Sequence, residues 1–134
     1  MKTIAVCSST AFYPQLPDIK SALESQGFTV LLPDSAEFLA RGEKPQTEGM
    51  TKADFIRSHF EKIHRSDAIL VVNLEKHGQP GYVGPNVLME MALAFDLQLP
   101  IFLLELPNPQ SALIEEIEAV GPIVLNGNLQ QVTL

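Results

Sequence analysis

The chain has 134 residues, of which 46% are hydrophobic and 19% are charged, as in an ordinary globular domain. Nine basic against sixteen acidic residues give a formal net charge of -7, which argues against nucleic acid as the main partner. No apolar run approaches the about 18 residues of a membrane span, and no signal peptide is recognisable. We therefore expect one soluble, cytoplasmic domain over residues 1–134, with a small-molecule partner and neither a nucleic acid nor a membrane partner.

The first half of the chain alternates strand and helix signals. Gly27 ends the first helical pattern, and Thr51 with Asp54 has the spacing of a capping box that begins another. The polar segment at 34–50 is long for a connection and is either a functional loop, such as a lid, or a loose insertion. The predicted elements are a strand at 3–7, a helix at about 16–26, a strand at 28–32, a short helix at 36–40 and a major helix after 51.

The second half continues this alternation. Residues 68–72 are continuously apolar, as in a strand that is buried on both faces. Gly84-Pro85 is a typical helix start, because proline is favoured at the first helical position. The predicted elements are a strand at 68–72, a glycine-rich loop at 77–84, a helix at about 84–97, a strand at 100–104, a helix at 111–120 and a strand at 123–125.

Strands that alternate with helices predict a parallel sheet with helices on both faces. Five such units predict a flavodoxin-like or Rossmann-like three-layer α/β sandwich with the strand order 2-1-3-4-5. Ligands bind such folds beyond the carboxyl ends of the strands, at the switch point between strands 1 and 3. Ser8, Ser9 and Thr10 follow strand 1, and Asn73 follows strand 3. The three hydroxyl residues either bind a phosphate or sugar or form an ordinary capped turn.

Glu90 is the most unusual residue of the second half. The helix that contains it is apolar round most of its circumference, and only Asp96 and Met89 mark a side that faces solvent. Such helices are normally buried, so we expect Glu90 to be held away from bulk water. A buried carboxylate is usually paired, protonated or catalytic.

Familiar cofactor and nucleophile motifs are absent from the sequence. Neither a P-loop nor a Rossmann glycine fingerprint occurs. Cys7 lacks the arginine of a C-x5-R phosphatase, since Tyr13 stands at that position, and we expect a structural cysteine in a reducing compartment. His59 and His64 are expected on the solvated side of their helix, whereas His77 borders the predicted cleft. No histidine has metal-ligand spacing, so we expect no metal and no organic cofactor.

The residues that follow strand 3 carry a family resemblance. The segment GYVGPNVLMEM at 81–91 resembles the core of the nucleoside 2-deoxyribosyltransferase-like superfamily, in particular a branch of uncharacterised prokaryotic proteins. That superfamily includes transferases and 2'-deoxynucleoside 5'-monophosphate N-glycosidases. The first strand also ends in a similar Cys-Ser-Ser turn. The matching positions are Asp67, Asn73, Tyr82, Gly84, Asn86, Glu90, Ala94, Pro100 and Ile101.

The resemblance implies a role for each matching position. Glu90 would be the nucleophile and Asn73 would orient the ligand, although active relatives usually carry an aspartate there. Tyr82 would stack on the ligand or close over it. The remaining substrate-binding residues implied are Ser8 and Ser9 at the 5' end, together with Gly84, Asn86 and Tyr13, where Phe12 is the alternative match to an early family tyrosine.

Three hypotheses follow from the residues and the resemblance. The leading one is an enzyme that cleaves the N-glycosidic bond of a nucleoside or nucleoside 5'-monophosphate, or exchanges its base, through Glu90. The second is a nucleotide-binding or sensing module without turnover, which Asn73 favours. The third is an assembly subunit whose apolar helix packs against its twin. The apolar helix predicts a homodimer or a larger homo-oligomer under any of them.

Overall fold

Five parallel strands form one sheet in the order β2-β1-β3-β4-β5 in the computed structural model, which describes residues 1–134. The register places Ala5 of β1 beside Leu31 of β2 and Ile69 of β3. This arrangement confirms the predicted strand order, with its switch point between β1 and β3. The strands are β1 (Thr3–Ser8), β2 (Thr29–Leu31), β3 (Ala68–Val72), β4 (Ile101–Leu103) and β5 (Ile123–Val124).

Five α-helices connect the strands, one 3-10 helix, Thr10–Gln15, follows β1, and a second, Leu129–Gln131, follows β5. Thr51 begins α3 through a capping box, in which its hydroxyl accepts the Asp54 N–H at 3.2 Å and the Asp54 carboxylate accepts the Thr51 N–H at 2.9 Å. The α-helices are α1 (Leu16–Ser25), α2 (Asp34–Ala40), α3 (Lys52–His64), α4 (Pro85–Asp96) and α5 (Ile114–Ala119). None of the helices is both long and apolar enough to cross a bilayer.

Two hydrophobic cores lie on opposite faces of the sheet. On one face, alternate side chains of β1 and β3 pack against α1. On the other face, the remaining strand side chains pack against α3, α4 and α5. Successive side chains of each strand point to opposite faces of the sheet, so every strand contributes to both cores. The result is the three-layer α/β sandwich that the sequence predicts.

Two helices differ from their predicted form. The helix predicted at 111–120 is shorter, because the Ser111 hydroxyl accepts the Leu113 N–H at 3.1 Å and holds a turn before α5. Helix α4 is buried on one side only. Its opposite side leaves 44% of Met89 and 56% of Phe95 exposed. The exposed Met89 and Asp96 confirm the predicted solvent-facing side of α4, and Phe95 extends that side further than the sequence pattern indicated.

Candidate active site

A cavity of about 540 Å³ lies beyond the carboxyl ends of β1 and β3, at the switch point of the sheet. Residues at the end of β1, the beginning of α2, one side of α3 and the first turns of α4 form its wall. The volume falls within the roughly 300–1,000 Å³ that is typical of small-molecule sites. Seven of the eight residues selected from the sequence line this cavity. They are Ser8, Ser9, Tyr13, Tyr82, Gly84, Asn86 and Glu90.

Glu90 projects from α4 into the cavity wall with 14% of its side chain exposed. Burial raises the pKa of Glu90 from 4.5 to about 7, although a hydrogen bond with the Cys7 thiol and the charge of Lys52 oppose the rise. The ionised and protonated forms of Glu90 therefore coexist near neutral pH. A carboxyl group with such a pKa can act as an acid, a base or a nucleophile.

Three side chains from three elements meet beside the cavity: Cys7 of β1, His59 of α3 and Glu90 of α4. The Cys7 Sγ lies 3.5 Å from the His59 Nε2, and the Glu90 Oε2 lies 3.9 Å from the same nitrogen. His59 and Glu90 line the cavity, while Cys7 is completely buried. Burial and the nearby Glu90 raise the pKa of the Cys7 thiol well above its ordinary value, so the thiol stays protonated.

The prediction that His59 lies on the solvated side of its helix is wrong, since only 5% of this residue is exposed. His59 precedes the buried Ile63 by four residues, so both lie on the face of α3 that packs toward the sheet. His64 is exposed, as expected. Burial, with a contribution from the Lys62 charge, lowers the pKa of His59 from 6.5 to about 4. The imidazole is therefore neutral at pH 7, and its Nδ1 makes no hydrogen bond.

The side of the cavity near the end of β1 is polar and partly cationic. The Lys76 Nζ donates a hydrogen bond to the Ser9 Oγ at 3.0 Å and lies 4.9 Å from the centroid of the Tyr82 ring. Lys52 also lines the cavity. Burial, with the charge of Glu90, raises the pKa of Tyr13 to about 12, so its phenol is a neutral donor at pH 7. This wall is suited to an anionic or hydroxyl-rich ligand.

Ser9 forms the capped turn that was one of the two alternatives left by the sequence, and it also lies at the cavity. Its hydroxyl accepts the Ala11 N–H at 3.4 Å, which caps the first 3-10 helix. The same oxygen accepts the Lys76 hydrogen bond and lines the cavity. The capped turn therefore also presents a polar atom to the site.

Gly84 precedes the first turn of α4 in an extended conformation that other residues can adopt. Its lack of a side chain matters because a Cβ here would lie 3.0 Å from the Tyr82 hydroxyl oxygen. Gly84 thus lets the Tyr82 side chain lie against the start of the helix. Asn86 follows in the first turn, where the positive end of the helix dipole faces the cavity.

Asn73 is the one predicted site residue that does not line this cavity. It is completely buried, its Nδ2 donates to the Glu105 carbonyl at 2.7 Å, and its Oδ1 accepts the Glu105 N–H at 2.9 Å. Both ends of the amide are used to join the end of β3 to the segment after β4. Its ligand-orienting role stays a prediction, and the structure does not bring it together with Glu90.

The cavity also contains residues that the sequence analysis did not select. His77 does not line it, but the neighbouring Lys76 does, and so does Lys52 at the start of α3. The position of His59 one turn before Ile63 was a usable signal, because residues four apart share a helix face. For Lys76, the only sequence feature that could have predicted its place at the cavity was its position in the loop after β3.

No protein-family model and no curated protein sequence matches the chain. Among solved structures, it is similar to a 2-deoxyribosyltransferase from the psychrotolerant bacterium Bacillus psychrosaccharolyticus, with a TM-score of 0.58 and 15% identity over 84% of this chain and 78% of that chain. It is also similar to a CMP N-glycosidase from Clostridium botulinum, with a TM-score of 0.57 and 16% identity over 93% and 89% of the two chains. These similarities confirm the nucleoside 2-deoxyribosyltransferase-like fold that the resemblance implied.

Proposed function

We propose that the chain cleaves the N-glycosidic bond of a nucleoside or nucleoside 5'-monophosphate, or exchanges its base, with Glu90 as the nucleophile. One observation carries this proposal: a carboxyl group with a pKa of about 7 lies in the wall of a ligand-sized cavity at the switch point of the sheet. The similarity in fold to a 2-deoxyribosyltransferase and a CMP N-glycosidase supports the same chemistry.

The proposed reaction has two displacements at the sugar C1'. Ionised Glu90 attacks C1' as the bond to the base nitrogen breaks, and the base leaves with the electron pair and takes up a proton from solvent. Water then attacks C1' of the glycosyl-enzyme in hydrolysis, whereas a second base attacks it in exchange, and the attacking group loses its proton to solvent. Either acceptor releases Glu90 as a carboxylate. A pKa of about 7 leaves a substantial ionised fraction of Glu90 at neutral pH for the first step.

The cavity wall suggests how a substrate is held. The Lys76 ammonium group and the Ser9 hydroxyl are proposed to bind the 5' end of the sugar, assisted by Ser8. The Tyr82 ring is proposed to stack on the base or close over it. Tyr13, from the 3-10 helix after β1, and Asn86, from the first turn of α4, are proposed to bind sugar hydroxyls as neutral donors. Asn73 could bind the substrate only by breaking its two hydrogen bonds to the Glu105 backbone.

The test is a chromatographic assay for free base with mixed nucleosides and 5'-monophosphates, with and without an acceptor base. Glu90→Gln keeps the shape of the side chain and removes its charge, so we expect base release to fall by about a thousandfold or more. Asp96→Asn removes a carboxylate from the exposed end of the same helix and is the matched control. Release that survives Glu90→Gln would contradict the nucleophile role, and dependence on acceptor base would identify a transferase.

A non-catalytic nucleotide-binding or sensing module is the second candidate, and one observation favours it. Asp34 and Glu90 are the only carboxylates that line the cavity, and Asp34 is held by the Lys62 Nζ at 2.8 Å. No free second carboxyl group is therefore available to protonate a departing base. This module predicts that a nucleotide raises the melting temperature without any release of base.

The predicted homo-oligomer also stays a proposal. Helix α4 buries Val87, Met91 and Ala94 but leaves the apolar side chains of Met89 and Phe95 substantially exposed. Exposed apolar groups on one face of a helix are suited to contact with a second copy. Light scattering should give at least a dimer mass for the wild type and a smaller mass for Phe95→Glu. A monomeric wild type would contradict the proposal.

A further inference from the structure

The cluster beside the cavity combines the donor atoms of a metal site. The Cys7 sulfur, a His59 ring nitrogen and a Glu90 carboxylate oxygen all lie within 4.8 Å of one another. They come from β1, α3 and α4, so the fold itself brings them together. None of the three is engaged by a lysine or arginine in an ion pair.

The separations are close to those of a tetrahedral zinc site. With Zn–S bonds of about 2.3 Å and Zn–N bonds of about 2.0 Å, ligand sulfur and nitrogen atoms lie about 3.5 Å apart. The Cys7 Sγ and the His59 Nε2 are 3.5 Å apart. A nitrogen and an oxygen ligand lie roughly 3.4 Å apart in such a site. The observed distance of 3.9 Å from the Glu90 Oε2 to the His59 Nε2, with the Glu90 and Cys7 donor atoms within 4.8 Å, therefore requires the Glu90 side chain to move toward the other two ligands.

The His59 ring makes few hydrogen bonds with the rest of the protein. Its Nδ1 is buried without a hydrogen bond of good geometry, its Nε2 contacts the thiol and the carboxylate, and the Val6 backbone lies near the ring. Burying an imidazole with so few partners is costly. Coordination through Nε2 would use the lone pair of that nitrogen and leave the ring proton on Nδ1. His59 and Glu90 line the cavity wall, so an ion can reach them from the cavity.

We propose that Cys7, His59 and Glu90 bind a zinc-class divalent cation, with a fourth coordination position directed to the cavity, and that the bound ion inhibits the reaction. The inhibitory part rests on the proposed function, because the ion occupies the carboxylate that would attack C1'. Binding releases the thiol proton and leaves thiolate and carboxylate ligands whose charges balance the ion. A thiolate and an imidazole select zinc over magnesium or calcium, which prefer oxygen ligands.

The binding test uses Co²⁺ as a coloured probe, titrated into the metal-free protein under reducing conditions. We expect one Co²⁺ per chain, tetrahedral visible absorption and a thiolate-to-metal charge-transfer band, all displaced by Zn²⁺. Cys7→Ser should remove the charge-transfer band, and His59→Gln should weaken binding by at least about tenfold. His64→Gln, on the exposed side of the same helix, is the matched control and should bind as the wild type does. Circular dichroism verifies that each variant is folded.

Two results would overturn the site: no tetrahedral spectrum in the wild type, or a charge-transfer band that persists in folded Cys7→Ser. Neither readout depends on turnover, so the site can be tested even if the proposed function fails. The inhibition is tested separately by base release with added Zn²⁺, which should fall and recover with a chelator. Undiminished release at a Zn²⁺ concentration that saturates the spectroscopic site would overturn the inhibition alone.

Discussion

Two groups of polar residues at the same edge of the sheet behave in opposite ways. Beyond β1 and β3, Glu90 and His59 are buried in a cavity wall with few partners and strongly shifted pKa values. Beyond β3 and β4, Asn73 is buried with both ends of its amide hydrogen-bonded to the Glu105 backbone. A fully satisfied buried group stabilises the fold, whereas a poorly satisfied one indicates a site. Position after a strand does not distinguish the two.

The largest effect on stability is expected from Asn73→Asp, which introduces the aspartate that the superfamily resemblance led us to expect at this position. An aspartate cannot donate to the Glu105 carbonyl and places a buried charge against that oxygen. We expect the free energy of unfolding to fall by about 3 to 5 kcal/mol in urea denaturation, with no gain in base release. Asn126→Asp, at an exposed position, is the control. A faster reaction with unchanged stability would place Asn73 in the active site.

Two glycine substitutions, one near Asn73 and one at the cavity, should affect stability and substrate binding differently. Gly81 has a φ of +61° on the Asn73 side, and a Cβ there would overlap the Leu106 carbonyl oxygen. Gly81→Ala should lower the free energy of unfolding by about 3 kcal/mol. Gly84→Ala meets only the movable Tyr82 side chain, so it should cost less than about 1 kcal/mol while raising KM for the substrate. Thermal melts and kinetics on both variants test this, and the reverse pattern would contradict it.

In the wild type, the smallest net effect is the pH dependence of stability in metal-free buffer, because two buried groups contribute with opposite signs. The raised pKa of Glu90 contributes to the free energy of unfolding fully below pH 4.5, and this contribution is lost as the pH rises through about 7. The lowered pKa of His59 contributes fully above pH 6.5, and this contribution is lost as the pH falls through about 4. The two oppose each other between pH 4.5 and 6.5. Over that window, Glu90→Gln should become more stable with rising pH and His59→Gln less stable, by about 2 to 3 kcal/mol each. Parallel urea profiles for both variants would contradict the assigned shifts.

Local sequence patterns were enough to predict the strands and the order of the sheet. The apolar run of β3, the capping box at Thr51 and the Gly84-Pro85 helix start are all set by neighbouring residues. The hydroxyl residues after β1 and Glu90 in α4 could be selected because the topology fixes where strand ends meet.

Contacts between distant elements could not be predicted in this way. The partner of Asn73 is 32 residues away at Glu105, and Cys7 meets His59 across 52 residues. Metal-ligand spacing along the chain likewise gives no signal when each donor comes from a different element. The half-exposed state of α4 depends on how much of it the sheet covers, which its own apolar pattern does not specify.

The most direct test of the central claim is mass spectrometry of the protein quenched in acid during turnover of the substrate found in the base-release assay. If Glu90 is the nucleophile, the wild type should carry one sugar or sugar phosphate, which peptide mapping assigns to Glu90. Glu90→Gln should carry none, and Asp96→Asn should be labelled as the wild type is. Turnover with the label on another residue, or a label that persists in Glu90→Gln, would contradict the account.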